Sequence, residues 1–99
     1  MILHTVNKSP FSDPSFSDCV KLCQSGSAIL LIEDGVYAAK NGSTYSQLIK
    51  KTVAVKFYVL EADILARGIK DSICDQITII NDSEFVELCT THNSVQSWY

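Results

Sequence analysis

The sequence carries little charge and has no long apolar run. Charged side chains make up 19% of its 99 residues, against roughly 25% in an average soluble domain. Its apolar segments are far shorter than the ~20 residues that a membrane helix needs. The amino-terminal run is also too short for a signal peptide, because charge appears at Lys8. We therefore expect a cytoplasmic protein without a membrane segment.

Positive charge is scarce and scattered. The formal net charge is −3 at pH 7, and the only adjacent basic pair is Lys50-Lys51. A surface that binds nucleic acid needs a stripe or patch of basic side chains to neutralise phosphates. We therefore expect no direct nucleic-acid binding.

The low charge itself has two possible explanations. Apolar residues are 46% of the chain, enough for one core in a single domain spanning residues 1–99. A small domain has much surface for its volume, so its surface should need more charge, not less. Either Ser, Thr and Asn cover the surface instead, or part of it is buried against another subunit. Composition leaves both explanations open.

The few glycines and cysteines have spacings that exclude several site classes. Gly26, Gly35, Gly42 and Gly68 are too far apart for a dinucleotide-binding motif or a P-loop. The four cysteines include no C-x-x-C pair and no two close pairs of the kind that bind zinc. In a reducing compartment they are thiols. We expect no cofactor and no bound metal.

Strand and helix patterns alternate along the chain. Apolar runs predict strands over residues 1–6, 28–32, 53–60 and 77–80. Helices are predicted to follow them, starting at caps provided by Asp13, by Ser43 or Thr44, and by Ser83. Such alternation predicts an α/β fold: a mainly parallel sheet of four or five strands with helices on both faces.

Polar side chains follow each predicted strand, at the edge where sites gather in parallel sheets. Glu33, Asp34 and Asp82 could hold Mg²⁺ or act as paired carboxylates there. The first two belong to a turn and the third to a helix cap, which favours a structural interpretation. His4, within a strand, and His92, at a helix end, are also interpreted as structural.

Cysteine is the remaining residue type that could do chemistry. Cys19 and Cys23 are four residues apart on the first predicted helix and so lie on neighbouring turns. The apolar stripe of this helix includes Cys23, and Cys19 falls within it or beside it. Helical phase therefore does not separate a reactive thiol from a packed one. Cys74 and Cys89 are interpreted as inert.

Five segments, in order from residue 2 to residue 98, resemble the DsrH/TusB family. They are ILHTVNKSP at 2–10, LIEDGVYAA at 31–39, ARG at 66–68, FVEL at 85–88 and VQSW at 95–98. The resemblance implies a Rossmann-like fold of the DsrE/DsrF/DsrH kind. It also implies a subunit of a heterohexameric sulfur-relay complex, DsrEFH or TusBCD, with DsrE/TusD-like and DsrF/TusC-like partners. Such complexes pass persulfide sulfur to a DsrC- or TusE-like acceptor, for 2-thiolation of tRNA wobble uridine or for dissimilatory sulfur oxidation.

The same resemblance makes Cys19 the candidate persulfide carrier. Cys19 matches a first-helix cysteine of DsrH-type members that many TusB-type members lack, which favours the DsrH branch. The main sulfur-carrying cysteine of these complexes belongs to the DsrE or TusD subunit. A carrier needs an accessible thiolate, and a place near a helix N-terminus would favour the anion. We predict that Cys19 alone among the four cysteines can hold transferable sulfur.

Three interpretations of function stay open. The chain is a transferase component that carries sulfur on Cys19, or it is a structural subunit that completes the hexamer and shapes its partner's active site. A stand-alone ligand-binding module is a weaker third. Low charge and the terminal Trp98-Tyr99 favour the structural subunit, because aromatic residues anchor interfaces. We predict a partner-binding surface around Trp98.

Overall fold

The computed structural model describes residues 2–98, in which strands and helices alternate. The strands are β1 (Ile2–Val6), β2 (Ala28–Leu31), β3 (Lys56–Leu60), β4 (Ile77–Ile80) and β5 (Ser94–Trp98). The α-helices are α1 (Ser15–Leu22), α2 (Thr44–Lys51), α3 (Glu61–Ala66) and α4 (Asp82–Thr91), and two 3₁₀ helices span Glu33–Ala39 and Lys70–Ser72. Met1, which was predicted to open the first strand, lies outside the described residues.

Within residues 2–98 the strands form one sheet in the order β4-β3-β2-β1-β5. Every neighbouring pair in it is parallel. The second and third strands, for example, pair with Ala28 opposite Lys56 and Leu31 opposite Val59. The predicted α/β fold with a parallel sheet is therefore confirmed.

Strand β5 is an element that the sequence did not predict, because the last predicted element was a helix. It pairs with β1 at the edge of the sheet, with Val95 opposite Leu3 and Trp98 opposite Val6. Its residues from Ser94 to Ser97 are exposed. An edge strand of this kind lacks the apolar run by which the four other strands were found.

One side of the sheet, here called the first face, carries the larger core. Alternate strand residues pack there against α1, the 3₁₀ helix Glu33–Ala39, α2 and α3. Fully buried side chains contribute about 1.5–3 kcal/mol each to folding. The strand residues of this cluster include Val6, Ile29, Leu31, Phe57 and Val59, and the helices contribute Phe16, Val36, Ile49 and Ile64.

The opposite side, here called the second face, is covered by α4. Its buried residues are Leu3, Ala28, Leu30 and Ile80, with Tyr58, Phe85, Leu88 and Cys89 partly buried against them. None of the ten residues of α4 is itself buried. Helices thus cover both faces as predicted, but the second face has a thinner cover.

Three helix starts test the predicted caps, and at α2 the cap is Ser43, whose hydroxyl accepts from the Ser46 backbone amide at 3.0 Å. At α1 the predicted cap, Asp13, lies one residue before the N-cap position, which Pro14 occupies, although the Asp13 carboxylate accepts a hydrogen bond from the Ser15 backbone amide at 2.8 Å. At α4 the predicted cap, Ser83, was wrong. Asn81 caps this helix by accepting from the Glu84 amide at 2.9 Å, while the Glu84 carboxylate accepts from the Asn81 amide at 3.0 Å. This reciprocal pair is a capping box, which satisfies two amides that the helix leaves unpaired.

The third strand starts later than predicted. Residues 53–55 were assigned to it from their β-branched side chains, but β3 begins at Lys56. Val53 is 91% exposed, whereas Val55 is buried in the core of the first face, just before Lys56, the first residue of β3. Among the described residues, no helix is long and apolar enough to cross a membrane.

Candidate functional site

The candidate persulfide carrier, Cys19, lies in the core of the protein. It is the fifth residue of the eight in α1, and its side chain is 0% exposed within the cluster on the first face. Burial and, to a lesser extent, the nearby Cys23 raise the pKa of its thiol to about 12. The expected help from the helix N-terminus does not reach Cys19, because the dipole acts mainly within the first turn.

Two of the other three cysteines are more exposed than Cys19. All four are free thiols; Cys74 is buried, whereas Cys23 and Cys89 are half-buried. Cys23 follows the end of α1. Its pKa is raised, because the effect of burial exceeds that of a hydrogen bond with Ser27, which lowers it. The pKa of Cys74 is raised by burial. In the chain on its own, Cys19 is therefore a packed thiol, and Cys23 and Cys89 are the more accessible ones. Its role as a carrier stays a prediction.

The carboxyl edge of the sheet brings three of the four predicted strand-end loops together. The side-chain amide of Asn7 donates to the Glu33 carboxylate at 3.5 Å, and the Glu33 backbone amide donates to the Asp63 carboxylate at 2.8 Å. The ends of β1 and β2 and the start of α3 are joined in this way. Glu33 has a φ of 49°, which is a left-handed conformation uncommon for residues other than glycine.

Gly35 shows how closely these loops approach each other. A Cβ at this position would lie 2.1 Å from the Val6 carbonyl oxygen, so only glycine fits where the 3₁₀ helix crosses the end of β1. The Asn7 Oδ1 atom beside it is buried without a hydrogen-bond partner among the described residues. The loops are thus fixed by close backbone contact and leave one polar atom unused.

Arg67 neutralises the acidic side of this edge. Its guanidinium lies 2.9 Å from the Asp34 carboxylate and 3.8 Å from the Asp63 carboxylate, and it donates to the Asp63 carbonyl at 3.2 Å. In the sequence, Arg67 stood out only as part of the family-like segment at residues 66–68. A cation beside both acids reduces their capacity to hold Mg²⁺, which supports the structural interpretation of Asp34. No group of three His, Cys, Asp or Glu side chains between residues 2 and 98 could hold a metal ion.

The amino-terminal and carboxyl-terminal strands meet through two aromatic rings. Trp98 donates from its indole Nε1 to Nδ1 of His4 at 3.0 Å, across the β1–β5 pairing. His4 is buried, and burial lowers its pKa, so its neutral form is favoured. The structural interpretation of His4 agrees with this contact. Trp98 is half-buried, and Tyr99 lies outside the described residues.

Comparison with known proteins places this geometry in a family. The family model described as "DsrH like protein" matches residues 8–95. Protein TusB of Escherichia coli K12 is 34% identical over 97 residues, which cover 98% of this chain and 100% of that protein. The chain belongs to the DsrH/TusB family. Protein TusB of Shigella boydii serotype 18 is 34% identical over the same share of both chains.

Solved structures show that the DsrH/TusB chain shares its fold with more distant proteins. The ychN protein of Escherichia coli superposes with a TM-score of 0.83 at 16% identity, over 98% of this chain and 97% of that one. MTH1491 of Methanobacterium thermoautotrophicum gives a TM-score of 0.72 at 14% identity, over 97% and 96%. At such low identity the likeness concerns the fold alone.

Proposed function

We propose that this DsrH/TusB chain is a subunit of a cytoplasmic sulfur-relay complex that contributes shape and surface, while a partner's cysteine carries the sulfur. The observation behind this proposal is the position of Cys19, which is 0% exposed with a pKa raised to about 12. A persulfide forms on a thiolate that the donor can reach, and neither condition holds for this thiol.

The family supplies the partners of the proposal. DsrE/TusD-like and DsrF/TusC-like chains would complete a heterohexamer, and a DsrC- or TusE-like protein would accept the sulfur. Relatives named TusB match 98% of this chain at 34% identity, which favours the branch that serves 2-thiolation of tRNA wobble uridine. The cysteine at position 19 pointed instead to the DsrH branch and sulfur oxidation. Burial weakens that argument, because a packed cysteine needs no sulfur chemistry to be explained.

The apolar surface near Trp98 supports a role in assembly. Leu22 is 69% exposed beside it, and both residues line one shallow cavity with Ile2 and His4. Val95 is 45% exposed on the same edge strand, but it lies opposite Leu3 and so faces the other side of the sheet. Burial of exposed apolar side chains like these drives subunit association.

The second candidate is that Cys19 carries sulfur after a movement of α1. The favouring observation is that α1 is short, with only the eight residues from Ser15 to Leu22. Short helices depend on packing for their stability, so a partner that binds α1 could expose the thiol.

A relay assay in the assembled complex separates the two candidates. The tagged chain is co-purified with its DsrE- and DsrF-like partners, and sulfur transfer to the acceptor is measured for wild type, Cys19→Ala and Cys23→Ala. We expect each variant to assemble and to transfer sulfur at the wild-type rate. A Cys19→Ala complex that assembles fully but transfers no sulfur, while Cys23→Ala is active, would favour the second candidate.

A further inference from the structure

The second face contains a cavity that the proposed function does not use. It has a volume of about 450 Å³ and lies between the C-terminal turn of α4 and the start of β2 and β3. We call it the α4 cavity, and its walls include Ala28, Val53, Lys56, Tyr58, Leu88 and His92. Small-molecule sites have volumes of about 300–1,000 Å³, so this cavity is large enough for a small organic ligand.

The cavity exists because α4 is the sole helix over the second face of the described sheet. None of its residues is buried, and Leu88 and Cys89 only partly cover the strands beneath. Ala28 sits opposite Lys56 in the β2–β3 pairing, so a small side chain lies beside a long one. The short Ala28 side chain leaves space beside Lys56, and this part of the cavity surface is apolar.

Two hydrogen-bond donors that line the α4 cavity, Lys56 and Tyr58, have no acceptor in the part of the chain that the structure describes. Between residues 2 and 98, the Lys56 ammonium makes no ion pair, and the Tyr58 hydroxyl makes no hydrogen bond. No carboxylate side chain of the described residues lines the cavity. Glu84 and Glu87 lie instead on a neighbouring groove, which Tyr58 also borders. Donors without an acceptor next to an apolar surface are suited to a ligand that combines an anionic group with an apolar part.

The C-terminus of a helix ordinarily repels anions, but the end of α4 is capped by side chains. The Leu88 carbonyl accepts from Nδ1 of His92 at 2.8 Å and from the Thr91 hydroxyl at 3.2 Å. The Glu87 carbonyl accepts from the Thr90 hydroxyl at 2.8 Å. These bonds satisfy carbonyls that the last turn of α4 leaves unpaired, which reduces the partial negative charge at this helix end.

We propose that the α4 cavity binds a small carboxylic acid with an apolar ring or branched chain, its carboxylate placed at Lys56 and Tyr58 and its apolar part against Ala28, Val53 and Leu88. This site is distinct from the sulfur-relay role and does not depend on it. It lies at the amino ends of the strands, whereas the Asn7–Glu33–Asp63 contacts lie at the carboxyl ends.

Two probes that differ only in charge test the proposal. The isotope-labelled full chain is titrated with 4-tert-butylbenzoate and with the neutral 4-tert-butylbenzamide, and amide chemical shifts are followed by NMR. We expect the benzoate to shift the amides of Ala28, Tyr58 and His92 and to bind about tenfold more tightly than the benzamide, because it alone makes charge-assisted hydrogen bonds. Equal affinity for both probes, or shifts confined to other parts of the chain, would overturn the proposal.

Matched variants identify the anchoring group. Lys56→Met keeps the aliphatic stem but removes the charge, and it should weaken benzoate binding about tenfold without affecting the benzamide. Lys21→Met, on the exposed side of α1, should leave both affinities unchanged. Lys56 is exposed, so the variant should fold, and its NMR spectrum verifies this directly. Benzoate binding that is the same in Lys56→Met and wild type would contradict the assignment.

Discussion

The indole Nε1 of Trp98 donates a hydrogen bond of 3.0 Å to Nδ1 of His4, a residue 94 positions earlier in the chain. This contact ties the edge strand β5 to its neighbour β1, the fourth of the five strands in the sheet order. An acceptor nitrogen carries no proton, so the bond exists only while His4 is neutral. The apolar surface around Trp98 therefore depends on the protonation state of a buried histidine.

Stability should fall in mild acid because of His4. Burial lowers its pKa from the usual value of 6.5, so the unfolded chain binds this proton more readily than the folded one. The stabilising contribution is complete above pH 6.5 and is lost as the pH falls from there toward the folded-state pKa. Urea unfolding at several pH values should show this loss in wild type and a smaller one in His4→Gln. A variant at the other histidine, His92→Gln, serves as control; an unchanged pH dependence in His4→Gln would refute the assignment.

Removing the indole donor should also weaken the fold at neutral pH. Trp98→Phe keeps an aromatic ring but leaves the His4 Nδ1 atom without its donor. We expect a loss of about 1 kcal/mol in the free energy of unfolding, the usual net value of such a bond. Chemical denaturation followed by circular dichroism measures it, since the variant lacks the single tryptophan of the chain. Wild-type stability would show that the bond contributes nothing.

The start of α4 offers a comparison between two neighbouring polar residues. Asn81→Ala removes the side chain that accepts from the Glu84 amide, and it should cost about 1 kcal/mol. Ser83→Ala, two residues later, should change stability by less than about 0.5 kcal/mol, because Ser83 is exposed. Urea unfolding of both variants checks the assignment. A larger cost for Ser83→Ala would restore the cap predicted from the sequence.

Most strands could be predicted from the sequence, and the reasons for the misses are physical. Residues 28–31 are buried on both faces, and β4 buries Ile77 on one face and Ile80 on the other, so apolar runs reveal both strands. Strand β5 pairs with residues more than 90 positions away and exposes most of its side chains, so no local pattern marks it. Residues 53–55 were predicted as strand but are not, because β3 begins only at Lys56 although β-branched side chains precede it.

The candidate site was less predictable than the fold. Cys19 sits at the margin of the helical stripe, and only the contacts of α1 with the sheet decide that its side chain is fully buried. The contacts between Asn7, Glu33 and Asp63 join three loops, so the sequence indicated their common edge but not their bonds. Arg67 completes that edge; its segment, residues 66–68, was noted as a family match, but nothing in the sequence indicated its contacts with Asp34 and Asp63.

Association should depend on the apolar surface beside Trp98. Leu22→Glu places a charge at a side chain that is 69% exposed, so it should leave folding unchanged but weaken partner binding. Leu65→Glu is the matched control, since Leu65 is 55% exposed on α3. Pull-down of the DsrE- and DsrF-like chains measures the effect. Equal binding by both variants would exclude this surface as the interface.

Thiol reactivity in the isolated chain should follow exposure. Alkylation near neutral pH is expected to label the half-buried Cys23 and Cys89 before the buried Cys19, whose pKa is about 12. Peptide mass spectrometry over a time course gives the order directly. Labelling of Cys19 first would mean that α1 opens readily and would support the second candidate function.

The central claim is that sulfur travels through this complex without resting on Cys19. The direct measurement is mass spectrometry of the Cys19-containing peptide after the assembled complex has been loaded with persulfide, with the partner's cysteine peptide followed in the same sample. We predict a mass increase of one sulfur atom on the partner's peptide and none on the Cys19 peptide. A persulfide on Cys19 that disappears when the acceptor protein is added would contradict the account.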